Sequence, residues 1–259
     1  MKKVWKVLLT LLIAFCLVGC NSADKKTENA DKEVTIYLVR HGKTWFNTTD
    51  QVQGYCDSPL TEVGEEQARK VGVGLQDISF AGAYSSDLAR QRNTAKLILA
   101  ENKHEVPLIT ENIGFREMNY GGFEGGPNME INIQVAKSLG IEEFPDDVEN
   151  VWFWLLDMIG EEDYINRTAQ VDPLHAAETY DEMVKRGKDA MTDTVEDALK
   201  RGGGNILIVS SGGIIPLMVE SIVPGQYQGE KIANGSVTII HYKNGVYTVE
   251  VIGDTQYVK

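Results

Sequence analysis

Cysteine is scarce in this chain, with three in 259 residues, at positions 16, 20 and 56. That excludes the disulfide framework of small stapled domains, so the fold must rest on an apolar core, which a chain of this length can supply. Basic residues are in deficit as well. Twenty-five Lys and Arg stand against 38 Asp and Glu, a formal charge of −13. Such a balance excludes nucleic acid as partner, because phosphate backbones are bound through a surplus of Lys and Arg. Four histidines without a His-Glu-x-x-His pair, and no Cys pair at ligand spacing, leave no metal signature. No apolar run reaches the roughly twenty residues that a membrane-spanning helix needs, and no internal repeat is present.

What is present at the N-terminus is a different kind of sequence. Lys2, Lys3 and Lys6 precede an apolar run from Val7 to Val18 broken only by Thr10, followed by Gly19 and Cys20. This is the charge and length pattern of a signal peptide, expected over residues 1–19. Leu17-Val18-Gly19-Cys20 resembles the lipobox of bacterial lipoproteins, which implies cleavage before Cys20, lipidation of its sulfur and attachment to the extracytoplasmic face of a bacterial membrane. Two acyl chains anchor stably where one does so only marginally. Residues 20–33 are small, polar and charged without apolar periodicity, as a flexible tether would be. The remaining span, 34–259, is expected to form one domain.

From Val34 onward short apolar runs alternate with amphipathic stretches. Strands are expected at Val34 to Val39, Ala81 to Tyr84 and Asn205 to Val209, and helices at Thr61 to Gln76, Asp87 to Glu101 and Ala176 to Arg201, with a further short helix after the Val209 strand through Ile222. This order describes an α/β fold with a mostly parallel sheet covered on both faces. A C-terminal β-hairpin, Val237 to Tyr242 and Val246 to Val251, turns through Asn244-Gly245. Between about 125 and 174 the alternation stops, and helical pieces surround Val151-Trp-Phe-Trp-Leu-Leu156 within a strongly acidic stretch. That segment is expected to be a cap over the site, with its aromatic residues forming the cap's own core.

Ligands of open α/β sheets sit beyond the carboxyl ends of the strands. Three strand ends carry polar sequence here: Arg40-His41-Gly42, Ser85-Ser86-Asp87 with Arg90 a helical turn on, and Ser210-Ser211-Gly212-Gly213. Two arginines and a histidine beside glycines and helix N-termini suit a phosphoryl dianion. Gly42-Lys43-Thr44 is not a P-loop, since Tyr37 stands where its first glycine belongs. Ser211 is not in a nucleophile elbow, since Val209 replaces the required glycine.

Leu38-Val-Arg-His-Gly-Lys-Thr44 resembles the signature of the histidine phosphatase, or phosphoglycerate mutase-like, superfamily. The likeness continues through Asn47, Gln53-Gly54, Asp57-Ser-Pro-Leu-Thr61, Ser86-x-Leu88-x-Arg90, Thr94-Ala95, Arg116-Glu117, Gly122-Phe-Glu-Gly125 and Glu178-Thr179. It implies a three-layer α/β/α sandwich with an inserted cap, and a phosphomonoester substrate. It also implies a catalytic set in which His41 takes the phosphoryl group, Arg40 and Arg90 clamp its oxygens and Glu117 exchanges the proton with the leaving group and then with water. Asn47, Gln53, Gly54, Lys43, Ser211 and Gly212 would complete the phosphate site. Neither metal nor cofactor is implied.

One position departs from the family pattern. A second histidine belongs after the Asn205 to Val209 strand, and Ser211 stands there. Serine donates one hydrogen bond but carries no charge, and loss of one such donor costs on the order of a hundred- to a thousandfold in rate. Two readings therefore remain open at this stage: a phosphatase that works without the second histidine, and a non-catalytic descendant that binds a phosphorylated ligand at the cell surface. Substrate identity and oligomeric state are not encoded in any motif.

Overall fold

The computed structural model describes residues 32–258. The expected signal peptide, the lipidated Cys20 and most of the tether lie outside the described residues. Glu33, expected to close the tether, is already the first residue of strand β1 (Glu33–Arg40).

Six strands form one sheet in the order β3-β2-β4-β1-β5-β6, where β2 is Phe80–Ser85, β3 Ile109–Glu111, β4 Gly204–Ser210, β5 Val237–Lys243 and β6 Val246–Asp254. The first four in that order are mutually parallel, and β5 and β6 join antiparallel as the C-terminal hairpin. Its turn places both Asn244 (φ 52°) and Gly245 (φ 85°) in the left-handed region, as an Asn-Gly turn between right-twisting strands requires.

Alternation along the central strands assigns the two faces. Val34, Ile36, Leu38, Ile206 and Ile208 join one core, while Val39, Leu207 and Val209 join the other. On the first face lie helices α6 (Tyr180–Lys200) and α7 (Ile214–Ile222); on the second lie α2 (Glu62–Gly74) and α3 (Ala89–Ala100). The result is the three-layer α/β/α sandwich. A short helix α1 (Trp45–Thr49) follows β1, with Thr44 as N-cap in a reciprocal capping box with Asn47.

The expected long helix from Ala176 begins four residues later, at Tyr180, with Thr179 as N-cap and Glu182 completing a capping box. The reason is Asp172, whose carboxylate accepts N–H groups of Gly122, Leu174, Ala176 and Ala177 and winds the preceding segment into a loop. Burial opposes the charge, but these four donors hold the carboxyl below the usual range. Strand β3 was not expected. It is a three-residue edge strand whose side chains are half-buried or exposed, so no apolar run marks it.

The segment between β3 and α6 contains the cap helices α4 (Asn128–Ser138) and α5 (Val151–Val171), the latter broken at Gly160 (φ 79°, ψ 163°). The cap has its own core of Ile131, Val135, Leu155 and Tyr164. The expected aromatic packing holds for Trp154, which meets Phe144 edge-on at 6.1 Å, but Trp152 and Phe153 face solvent.

Candidate active site

The parallel register carries three polar strand ends to one edge. Arg40 pairs with Ser210 across β1 and β4, Ser85 pairs with Val209 across β2 and β4, and the His41 N–H donates to the Ser210 carbonyl at 3.0 Å. His41, only 3% exposed, is thereby fixed between the β1 and β4 termini. Its Nδ1 lies 2.8 Å from the Gly42 carbonyl. A carbonyl only accepts, so Nδ1 carries the proton and Nε2 keeps its lone pair. Burial, then the charges of Arg90 and Arg40, push the His41 pKa well below the ordinary imidazole value. The ring is neutral and nucleophilic at physiological pH.

Close backbone approach shapes this turn. A Cβ on Gly42 would fall 2.2 Å from the Gly64 carbonyl oxygen, so the turn after β1 and the start of α2 meet this closely because neither residue has a side chain. The Gly42 N–H donates to Thr94 Oγ1, and that hydroxyl donates to the Arg90 carbonyl, linking the His41 turn to α3.

Arg90 is completely buried. Its terminal nitrogens donate to the carbonyls of Gln53, Gly54 and Cys56 and to Asp57 Oδ1 at 3.0 Å. Arg40 donates to the Ile232 carbonyl at 2.6 Å and lies against Gly212, where a Cβ would sit 3.0 Å from Cζ. The Nε of each arginine is buried without a hydrogen-bond partner among the described residues. Two unpaired guanidinium donors whose charges act on a neutral imidazole suit a phosphoryl group.

Glu117 bonds the turn after β4. It is 7% exposed and accepts from the Gly213 N–H at 2.7 Å and the Met118 N–H at 2.9 Å. Its segment is held by Arg186 of α6, which donates to the carbonyls of Gly114, Arg116 and Glu117 and pairs through Nε and a terminal nitrogen with Glu178. Glu178 in turn accepts the Asn119 N–H. The start of the long helix thus positions the carboxylate.

The profile of the histidine phosphatase superfamily (branch 1) matches residues 36–153 and 157–255, nearly the whole described span. The chain belongs to this family. Among histidine phosphatase relatives, a broad-specificity phosphatase of Saccharomyces cerevisiae is 28% identical over 237 residues, covering 89% of this chain and 90% of its own. A metal-independent phosphoserine phosphatase of Arabidopsis thaliana is 27% identical, covering 91% and 87%. The crystal structure of a phosphoglycerate mutase from Bacillus anthracis superposes with a TM-score of 0.81 at 35% identity, covering 89% of this chain and 97% of that one.

His41, Arg40, Arg90, Glu117, Ser211 and Gly212 lie together around the ends of β1, β2 and β4. Others take different positions. Both side-chain polar atoms of Gln53 are bonded inside its own loop, to Thr44 and Ser58, and Gly54 offers its carbonyl to Arg90. The backbone carbonyls of both residues accept from Arg90 and orient it. Asn47 Oδ1 accepts from the Thr44 N–H and from Asn234 Nδ2. The Lys43 N–H is held by Gln67, and its residue is half-buried beside the turn. His104, His175 and His241 lie elsewhere, on a surface turn, in the loop after α5 and on β5.

Four contributors escaped the sequence reading. Asn234 bridges the His41 carbonyl and Asn47; Glu124 gathers the N–H groups of Gly54, Tyr55, Cys56 and Tyr120; Arg186 staples the Glu117 segment; and Gln91 binds Ser211. Glu124 stands inside the quoted Gly-Phe-Glu-Gly motif, which was a signal that it mattered. The rest stand at positions without a local pattern.

Proposed function

We propose that the protein is a phosphomonoester hydrolase working through a phosphohistidine on His41. The observation that carries this reading is the His41 tautomer, with Nδ1 tied to the Gly42 carbonyl and Nε2 left for a nucleophilic role within the field of Arg90 and Arg40, whose Nε atoms are unpaired among the described residues. Nε2 attacks phosphorus in line, an N–P bond forms and the ester P–O bond breaks. Arg40 and Arg90 hold the non-bridging oxygens as charge redistributes. Glu117 delivers a proton to the leaving oxygen, then removes one from the water that attacks phospho-His41, and inorganic phosphate departs. No cofactor takes part in these steps.

The phosphatases among the relatives support hydrolysis. A mutase reading fits less well with the N-terminal segment. Its signal-like run and Leu-Val-Gly-Cys20 support a lipid-anchored protein on the extracytoplasmic face of a bacterial membrane, away from bisphosphate primers. The substrate is a phosphorylated small molecule or other phosphoester.

The test is trapping with the full-length protein in detergent. Labelled phosphoester should leave acid-labile phosphate on the wild-type chain and none on His41→Ala. A broad phosphoester panel without turnover or label would reject hydrolysis, and tight phosphate binding measured in the same protein would then identify a binding module.

A further inference from the structure

Four buried side-chain polar atoms lack a hydrogen-bond partner among the described residues: Arg40 Nε, Arg90 Nε, Gln91 Oε1 and Ser236 Oγ. The first two are the guanidinium donors suited to a phosphoryl group. The third belongs to the residue next to Arg90, and nothing in the fold or in the proposed chemistry has yet used it.

Gln91 lies in the first turn of α3 and is fully buried, and its Nε2 donates to Ser211 Oγ at 2.7 Å. Ser211 is 1% exposed, and its hydroxyl has no other partner among the described residues. The pair bridges the two halves of the site. On the α3 side are Arg90 and Thr94, the latter holding the Gly42 N–H; on the β4 side are Gly212, against the Arg40 guanidinium, and Gly213, holding Glu117. A structural glutamine buried for packing alone would have both amide atoms satisfied, because an unpaired buried carbonyl is costly.

We propose that Gln91, held by Ser211, is a phosphoryl-binding residue that supplies neutral donors where a charged imidazolium would otherwise stand. A half-turn of the terminal amide preserves the bond between the partners with roles exchanged: the Ser211 O–H donates to Oε1, and Nε2, with two N–H groups, takes the unpaired position. An oxyanion between the arginines then meets an N–H rather than a carbonyl. In the unexchanged orientation Ser211 accepts from Gln91, and its own proton is free to point outward. Either way the unit contributes donors that do not titrate. This rests on the phosphoryl-transfer reading for its effect on rate, though its effect on oxyanion binding can be measured without turnover.

The experiment uses the full-length protein, with orthovanadate and inorganic phosphate binding by calorimetry and p-nitrophenyl phosphate hydrolysis as paired readouts. Gln91→Met, close in volume, should weaken vanadate binding by at least about tenfold and lower kcat/KM by about a hundredfold, the scale for loss of one oriented donor. Gln91→Glu keeps the shape of the side chain and removes its N–H groups. Its vanadate affinity should be lowest above neutral pH and recover as pH falls and the new carboxyl protonates, a dependence that a packing role would not produce. Combined with Ser211→Ala, Gln91→Met should cost little more than the worse single change, as expected of one unit.

If Gln91→Met misfolds, Gln91→Glu decides the matter. A folded variant of either kind that keeps vanadate affinity and kcat/KM within about threefold of wild type overturns the inference and leaves His41 chemistry standing. Wild-type protein that binds vanadate without hydrolysing any ester rejects the catalytic reading, while the variants' affinities still decide on Gln91. Wild-type protein that neither binds nor hydrolyses overturns both.

Discussion

The Gly213 N–H donates to Glu117 Oε2 at 2.7 Å, so the turn after β4 grips the carboxylate assigned to proton exchange. A Cβ at Gly213 would lie 2.7 Å from the other oxygen, Glu117 Oε1. Gly213 has an ordinary negative φ of −81°, so its requirement is space beside the carboxylate, not backbone freedom. Gly213→Ala should displace Glu117 and slow hydrolysis of alkyl phosphates by roughly a hundredfold, the lower range for loss of a general acid. p-Nitrophenyl phosphate, whose leaving group needs no proton, should be much less affected. Equal losses on both esters would place the damage elsewhere.

His41 sets a pH dependence of stability. Its folded-state pKa lies well below the ordinary value because of burial and then of Arg90 and Arg40. The unfolded chain therefore takes up a proton near pH 6.5 that the folded chain refuses, and stability present above that pH is lost as pH falls below it. Urea denaturation of wild type should show declining stability from about pH 6.5 toward pH 5, and His41→Asn should flatten that part of the curve. Asp87, lowered by its bond to Arg116, acts in the separate acid range below the ordinary carboxyl value.

Arg90 depends on Asp57, whose carboxylate is its one anionic partner among the described residues. Asp57→Ala leaves the guanidinium on three carbonyls and should destabilise the fold by about 1–3 kcal/mol, the cost of unpairing a buried charged donor. KM should rise more than kcat falls, because the clamp loses its aim. Arg90→Lys should do worse, since an ammonium cannot reach three carbonyls and a phosphoryl oxygen together. Steady-state kinetics and thermal melts of both variants check this.

Cys56 is half-buried, and its thiol is pushed up to about 12, by burial first and then by Glu124. Thiolate is the reactive form. Iodoacetamide at neutral pH should therefore modify the folded protein far more slowly than the urea-unfolded chain, and phosphatase activity should survive the reagent. Rapid alkylation with loss of activity would contradict the packing of the loop around Glu124.

Much of the fold was readable in advance, for identifiable reasons. The central strands are buried on both faces, so each is a short apolar run between turn residues, and their ends were visible as Arg40-His41-Gly42 and Ser210-Ser211-Gly212. The Asn244-Gly245 turn followed from backbone sterics. Boundaries failed where a side chain overrode periodicity, as when Asp172 delayed α6 to Tyr180. Edge strand β3 failed because three partly exposed residues carry no pattern.

By itself the sequence determined the strand ends, the imidazole and the two arginines, because each is a local consequence of a run and its terminus. Tertiary structure alone decided which ring nitrogen of His41 is bare, that Gln53 and Gly54 steer Arg90, and that Asn234 reaches the His41 carbonyl from 193 residues away. It also paired Gln91 with Ser211 across 120 residues. A hydrogen bond between distant residues is fixed by how helices dock on a sheet, and docking is a property of the packed core that no short stretch of sequence contains.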